Sequence, residues 1–292
     1  YMIGTIFNYL MNGLTMGAIY ALLAIGVTVV YKSMGMMNVA HANTVMLSAF
    51  ATLMLYNATN SLVIACIVGI VVMGCFGFLL ERFIYRRVNY DSFTNLMLAT
   101  IGMQIILVNA ARAIWGVDPY SFPQIFSIRP ITIGPIRILP QSIGIICVAA
   151  VVVIILQCFY KFTKTGQSMT AAATSPKAAM MLGINVAKTR NLTFTISAIL
   201  ACVSAILISP MYNVYPDMGA SVGTKGFCAA VIGGFGSIPA ALVGGLLLGI
   251  IESLVSGVLS AAYRDIIAFV IMILILYLKP AGLLGKKVEQ KF

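Results

Sequence analysis

Few residues in this sequence are placed to do chemistry. His41 is its single histidine, flanked by Asn38 and Asn43, while Lys225 and Glu252 are isolated charges within otherwise apolar stretches. A serine nucleophile needs a base within hydrogen-bond reach. Ser237 stands in a glycine-rich turn with no expected base beside it, so an intramembrane hydrolase is not indicated. The run from Gly282 to Lys287 comes nearest to a phosphate-cradling loop, yet it lacks both the spacing and the Ser or Thr of a Walker A motif. The chain is therefore not expected to bind ATP. Cys66, Cys75, Cys147, Cys158, Cys202 and Cys228 lie in apolar runs without metal-ligand spacing and read as buried thiols. Met34, Met36 and Met37 read as packing filler, and no metal site is expected.

Glu252 falls inside a long apolar segment, where a charged group costs about 2.5–3.5 kcal/mol at the bilayer centre, so it must face protein or water. Two readings stand: a gate or pathway residue, or an ion pair or hydrogen bond between helices. Lys225 is expected to snorkel from the outer end of its segment. Asn38, His41 and Asn43 either line a substrate path or satisfy a broken backbone. With Asn12 and Glu252 they form the set of candidate pathway or gate residues.

These residues must be held by a membrane scaffold. At 61% hydrophobic, 9% charged and a mean hydropathy of +1.04, the chain has too little polar surface for a soluble globule of 292 residues. Apolar runs of helix-crossing length recur, and alternating barrel strands do not. The fold class is thus all-α: a polytopic helical bundle of about eight to nine transmembrane segments, with 1–292 as one transmembrane domain. A net charge of +11 would suggest nucleic acid for a soluble protein, but here its placement decides. Lys32, Arg82, Arg86, Arg87, Lys161, Lys164, Lys177, Lys188, Arg190, Lys279, Lys286, Lys287 and Lys291 can share one side, which collects 13 of the 18 basic residues. That side is cytoplasmic, the N-terminus is outside, and no nucleic-acid partner is expected.

Segments are expected at 9–31, 44–56, 62–84, 94–114, 141–160, 191–212, 240–259 and 265–278. Residues 32–43 are too polar for lipid and should line protein or water. Five prolines across 115–140 predict an ordered external loop, with Trp115 and Tyr120 at the interface. Pro210, Pro216 and Asp217 are expected to turn the chain. The apolar stretch 223–236 is too short for an ordinary lipid-exposed span and should be a buried short or broken helix, ending in a turn at Gly233, Gly234, Gly236 and Pro239. Gly13 with Gly17, and Gly245 with Gly249, have the spacing that lets helices approach closely. No segment reads as a cleavable signal peptide.

The stretch 161–190 differs from all of these. Ser175 suits an N-cap, Pro176 the first helical position and Gly183 the residue past the end, predicting a two-turn helix over 176–182 after another short one over 165–173. Two short helices among Lys161, Lys164, Lys177, Lys188 and Arg190 form a basic cytoplasmic knob, suited to be pushed on by another protein.

From Asn12 to Asn43 the chain resembles the permease subunits of branched-chain amino acid ABC importers, the LivH and LivM type, and the LivH type more closely. Asn12, Gly13, Leu14, Thr15, Gly17, Tyr20, Gly26, Gly35, Asn38 and His41 carry this likeness. It continues through Ala178, Ala179, Leu182, Gly183, Ile184 and Asn185, then Gly233, Gly234, Gly236, Ser237, Pro239, Gly245, Gly249 and Glu252, and ends at Pro280, Gly282 and Gly285. The resemblance implies a type II-like importer permease in a bacterial inner membrane. Its partners would be a second permease subunit (LivM-like or another copy), two cytoplasmic ATPases carrying ATP and Mg, and an external solute-binding protein. The substrates would be branched-chain or other apolar amino acids, with urea or amides, nucleosides and sugars as alternatives. The knob becomes the coupling helix, with Thr174, Ser175, Pro176, Lys177, Ala178, Ala179, Met180, Met181 and Leu182 against the ATPase. Ala179→Arg is then expected to leave the fold intact but uncouple transport. Two departures stand out: Ala42 and Asn43 where the family usually has Gly and an acid, and Gln167 and Thr170 where it has arginines. An ion-coupled secondary transporter is the rival outside the family, but no internal repeat supports it.

Overall fold

A chain crossing hydrocarbon must satisfy its backbone polar groups internally, and the long apolar runs here do so as helices. The computed structural model describes residues 2–35, 37–88, 93–126, 130–133, 136–258 and 260–285. In order these form α1 (Met2–Met34), α2 (His41–Thr59), α3 (Leu62–Phe83), α4 (Phe93–Trp115), β1 (Ile131–Ile133), β2 (Ile136–Ile138), α5 (Pro140–Phe162), α6 (Lys164–Thr174), α7 (Pro176–Met181), α8 (Val186–Tyr212), α9 (Met218–Gly233), α10 (Ile238–Val258) and α11 (Arg264–Leu278). Six of them, α1, α3, α4, α5, α8 and α10, are long and apolar enough to cross a membrane. The proline-rich 115–140 stretch carries a small antiparallel hairpin pairing Ile131 with Ile138.

Two details differ from the sequence expectation. Pro210 does not turn the chain: it lies inside α8, which continues to Tyr212 before Asn213 takes a positive φ of 60°. The six cysteines are not all buried either: Cys202 and Cys228 are, whereas Cys75, Cys147 and Cys158 are exposed. An apolar run in a membrane protein says only that its side chains avoid water, and lipid serves that need as well as a core does.

The described residues group into two compact units. The first draws on Tyr1–Ile25, Gln124–Val153 and Lys225–Phe292. Its seam joins α1 to α10 through glycines. A Cβ on Gly17 would come within 2.9 Å of Leu246 Cα, one on Gly13 within 2.7 Å of Ile250 Cα, and one on Gly249 would overlap the Gly17 backbone. The two small-residue motifs thus pack against each other. The expected turn after α9 forms at Gly234 and Gly236, both with positive φ, while Pro239 occupies the first turn of α10, where its missing N–H is tolerated. Leu283 and Leu284 donate to the carbonyls of Ile232 and Gly233 at 2.9 and 3.0 Å, tying the 280–285 stretch to the end of α9.

The second unit comprises Gly26–Pro123 and Ile154–Thr224, with α8 packed on α2 and α3. Gly77 admits the α8 backbone, since a Cβ there would lie 2.6 Å from Phe194 O. Tyr85 stacks on Phe194 with ring centroids 4.8 Å apart. Glu81 marks the charged end of the third segment in sequence but is fully buried, accepting from Asn191 Nδ2 at 2.9 Å. Trp115 stacks on Phe50 at 4.6 Å, so protein as well as any interface holds it.

Candidate functional site

Three places collect the residues with chemical potential. In the first unit, Lys225 Nζ of α9 donates to Glu252 Oε1 of α10 and also pairs with Asp265 of α11. Tyr20 Oη of α1 donates to the other Glu252 oxygen at 2.9 Å. Both carboxylate oxygens are therefore occupied, and Glu252 is 3% exposed. The interhelical ion pair read for Glu252 is present. Lys225 does not snorkel, because at 8% exposure its ammonium is held between two carboxylates. Beside Glu252 opens a cavity of about 220 Å³ that Asn12 also lines, so two of the expected residues meet. Tyr9, Ser253, Ser256 and Arg264 complete its polar wall, with Arg264 Nε donating to Ser256 Oγ at 3.0 Å.

In the second unit, His41 begins α2 with its ring against Gly26, where a Cβ would overlap the imidazole. Ser197 of α8 donates to Gly26 O at 3.1 Å and lies 2.9 Å from His41 Nδ1. A hydroxyl has one proton. With that proton on the Gly26 carbonyl, Nδ1 must be the donor to Ser197, which leaves Nε2 as an acceptor. That Nε2 is buried without a hydrogen-bond partner among the described residues, as are Asn38 Oδ1 and Asn43 Oδ1. Asn43 Nδ2 donates to Gln104 O at 3.4 Å. The 37–43 stretch thus buries three acceptors with no donor among those residues, an arrangement that costs stability and so marks a polar site.

The third place is the knob. Ser175 caps α7 by accepting from Ala178 N at 3.4 Å, and Thr163 caps α6 by accepting from Gly166 N at 3.0 Å. Gly183, at φ 77°, closes α7 with bonds from Gly183 N to Met180 O and from Ile184 N to Ala179 O, the paired bonds of a Schellman end. Ala172, Ala179 and Val186 form the knob's small core, with Ile184 against them. Ala179 was expected to face a partner; at 2% exposure it faces inward, because its position on α7 points at α6 and α8. Thr174, Pro176, Lys177, Ala178, Met180, Met181 and Leu182 are exposed and Ser175 is half-buried. Met181 and Leu182 are 89% and 79% exposed, which is unusual for apolar side chains outside the spans.

Ser197 and Asn191 were not singled out in the sequence, and Tyr20 and Glu81 had no site role there. Each is a polar residue on a long, largely apolar helix, α1, α3 or α8, and that was the available signal.

Residues 9–276 match the family described as branched-chain amino acid transport system / permease component. The chain is 36% identical over 295 residues to the high-affinity branched-chain amino acid transport system permease protein LivH of Escherichia coli (strain K12), covering 96% of each. It is 35% identical over 303 residues to the corresponding permease protein BraD of Pseudomonas aeruginosa, covering 98% of this chain and 99% of that one. Among solved structures it is similar to PsaBC from Streptococcus pneumoniae in complex with Fab. That likeness has a TM-score of 0.51 at 13% identity over 94% of this chain and 92% of the other, and it concerns the fold alone.

Proposed function

The chain belongs to the permease-component family of branched-chain amino acid transport systems, and from that premise we propose that it is the transmembrane permease subunit of an ATP-driven importer. Its substrates are amino acids, branched-chain or similarly apolar, delivered by an external solute-binding protein. The likeness in sequence over nearly the full length of both chains carries this reading. The subunit pairs with a second permease, LivM-like or another copy, and works with two ATPase chains that hold the ATP and Mg. Residues 1–292 act as one permease domain in a bacterial inner membrane. α2, α9 and α11 join the six longer spans, which keeps the N-terminus outside and the C-terminus with the knob in the cytoplasm.

In this reading α6 and α7 are the coupling pair, and the exposed Met180, Met181 and Leu182 seat in the ATPase. Because Ala172 and Ala179 pack on Val186, a push on α7 is passed to α8 through that contact. Along α8 the displacement reaches Ser197 and so His41, whose place against Gly26 depends on that hydrogen bond. Asn12, Asn38, His41, Asn43 and Glu252 are the pathway or gate residues of this mechanism.

The test is reconstitution. The chain, co-expressed with the permease, ATPase and solute-binding proteins encoded beside it, should give proteoliposomes that take up leucine only with ATP and that vanadate inhibits. Leucine uptake by the purified chain alone, driven by an ion gradient, would overturn the proposal.

A further inference from the structure

Within the second unit, an open cavity of about 640 Å³ gathers Arg82 from the end of α3, Arg86 just beyond it, Lys164 from the start of α6 and Lys188 from the first turn of α8. No carboxylate lines it, and none of these four is ion-paired among the described residues. The neighbouring acid, Glu81, is fully buried and engaged by Asn191. Four cations sharing one space repel one another, and an anion among them relieves that repulsion. The cavity also has an apolar wall, Phe78 and Leu192. From Phe78 that wall runs onto the outer face of α3, where Leu79 and Phe83 are 47% and 54% exposed on a helix long and apolar enough to cross a membrane.

Cations at the end of a span beside an apolar face that continues into the bilayer fit one kind of molecule. We propose that this cavity binds the phosphate headgroup of an anionic phospholipid, whose acyl chains lie along α3. Gly183 and Asn185, which join α7 to α8, border the same space. The lipid therefore braces the base of the knob, and its presence stiffens the joint between knob and span. An acidic protein segment would match the four charges but would leave the apolar α3 face uncovered.

The test uses the full chain purified in detergent and mixed with phosphatidylglycerol or phosphatidylcholine, with retained lipid counted by native mass spectrometry. Phosphatidylglycerol should be retained in preference. R82Q/R86Q and, independently, K164Q/K188Q should each lower that preference by about twenty-fivefold, at roughly fivefold per cation. K177Q, an exposed knob variant outside the cavity, should leave it unchanged. Equal retention of both lipids, or no loss in either double variant, overturns the proposal. Displacement of phosphatidylglycerol by 10 mM inorganic phosphate also overturns it, in favour of a free-phosphate site. Unchanged lipid retention with lost co-purification of ATPase chains assigns the cavity to a protein partner instead. Lipid retention is read on the isolated chain, so its failure is separate from any failure of the transport assignment.

Discussion

Lys225 and Glu252, 27 positions apart on α9 and α10, form an ion pair buried among four helices, with Tyr20 on the carboxylate's second oxygen and Asp265 on the ammonium. Removing one member of such a pair strands a charge away from water, whereas removing both does not. Lys225→Met should therefore lower stability by about 3–5 kcal/mol, and Glu252→Gln by less, because Asp265 still pairs with Lys225. The double variant should recover most of that loss in thermal unfolding of the purified chain. Additive losses in the cycle would show that the two residues do not act on each other.

Ser197 holds His41 by its Nδ1, and Gly26 leaves room for the ring. Ser197→Ala should cost about 1–3 kcal/mol by leaving a buried donor unpaired. Gly26→Ala should cost a comparable amount, about 1–3 kcal/mol, by overpacking. If the imidazole is part of the path, Ser197→Ala also lowers ATP-driven leucine uptake beyond what its loss of folded protein explains. Uptake that merely tracks the folded fraction would remove His41 from the mechanism.

The knob separates surface from core. Met181→Glu with Leu182→Glu touches only exposed side chains, so stability should stay within about 0.5 kcal/mol while co-isolation of ATPase chains and uptake are lost. Ala179→Arg, by contrast, forces a charge into the Ala172–Val186 core and should destabilise the knob by more than about 2 kcal/mol. Protease cleavage between 161 and 190 reads the difference: only the Ala179 variant should become susceptible. Full coupling by the Met181/Leu182 variant would refute the docking role.

The α1–α10 seam leaves no space for side chains at its glycines. Gly17→Leu and Gly249→Leu should each cost more than about 2 kcal/mol, because the neighbours they meet are backbone and cannot rotate away. Gly116→Ala is a control without steric conflict, since a Cβ there meets nothing within 4 Å. Its positive φ of 81° still adds some strain, so a modest loss is expected there. Equal behaviour of all three variants would mean that the seam is looser than its geometry.

What the sequence determined by itself was whatever depends on neighbours along the chain. Runs of apolar residues set the six helices long enough to cross a membrane, Ser175, Pro176 and Gly183 set the ends of α7, and Gly13, Gly17, Gly245 and Gly249 announced a close helix contact before its partners were known. What only the tertiary structure decided is which polar group meets which. Lys225 was expected to reach for the interface but instead meets Glu252 and Asp265; Ala179 turned inward, Pro210 stayed helical, and Ser197 was found on His41. The reason is physical: helix formation is local, satisfied by bonds four residues apart, whereas a buried charge or hydroxyl takes its partner from another helix, and no spacing in one sequence records that choice.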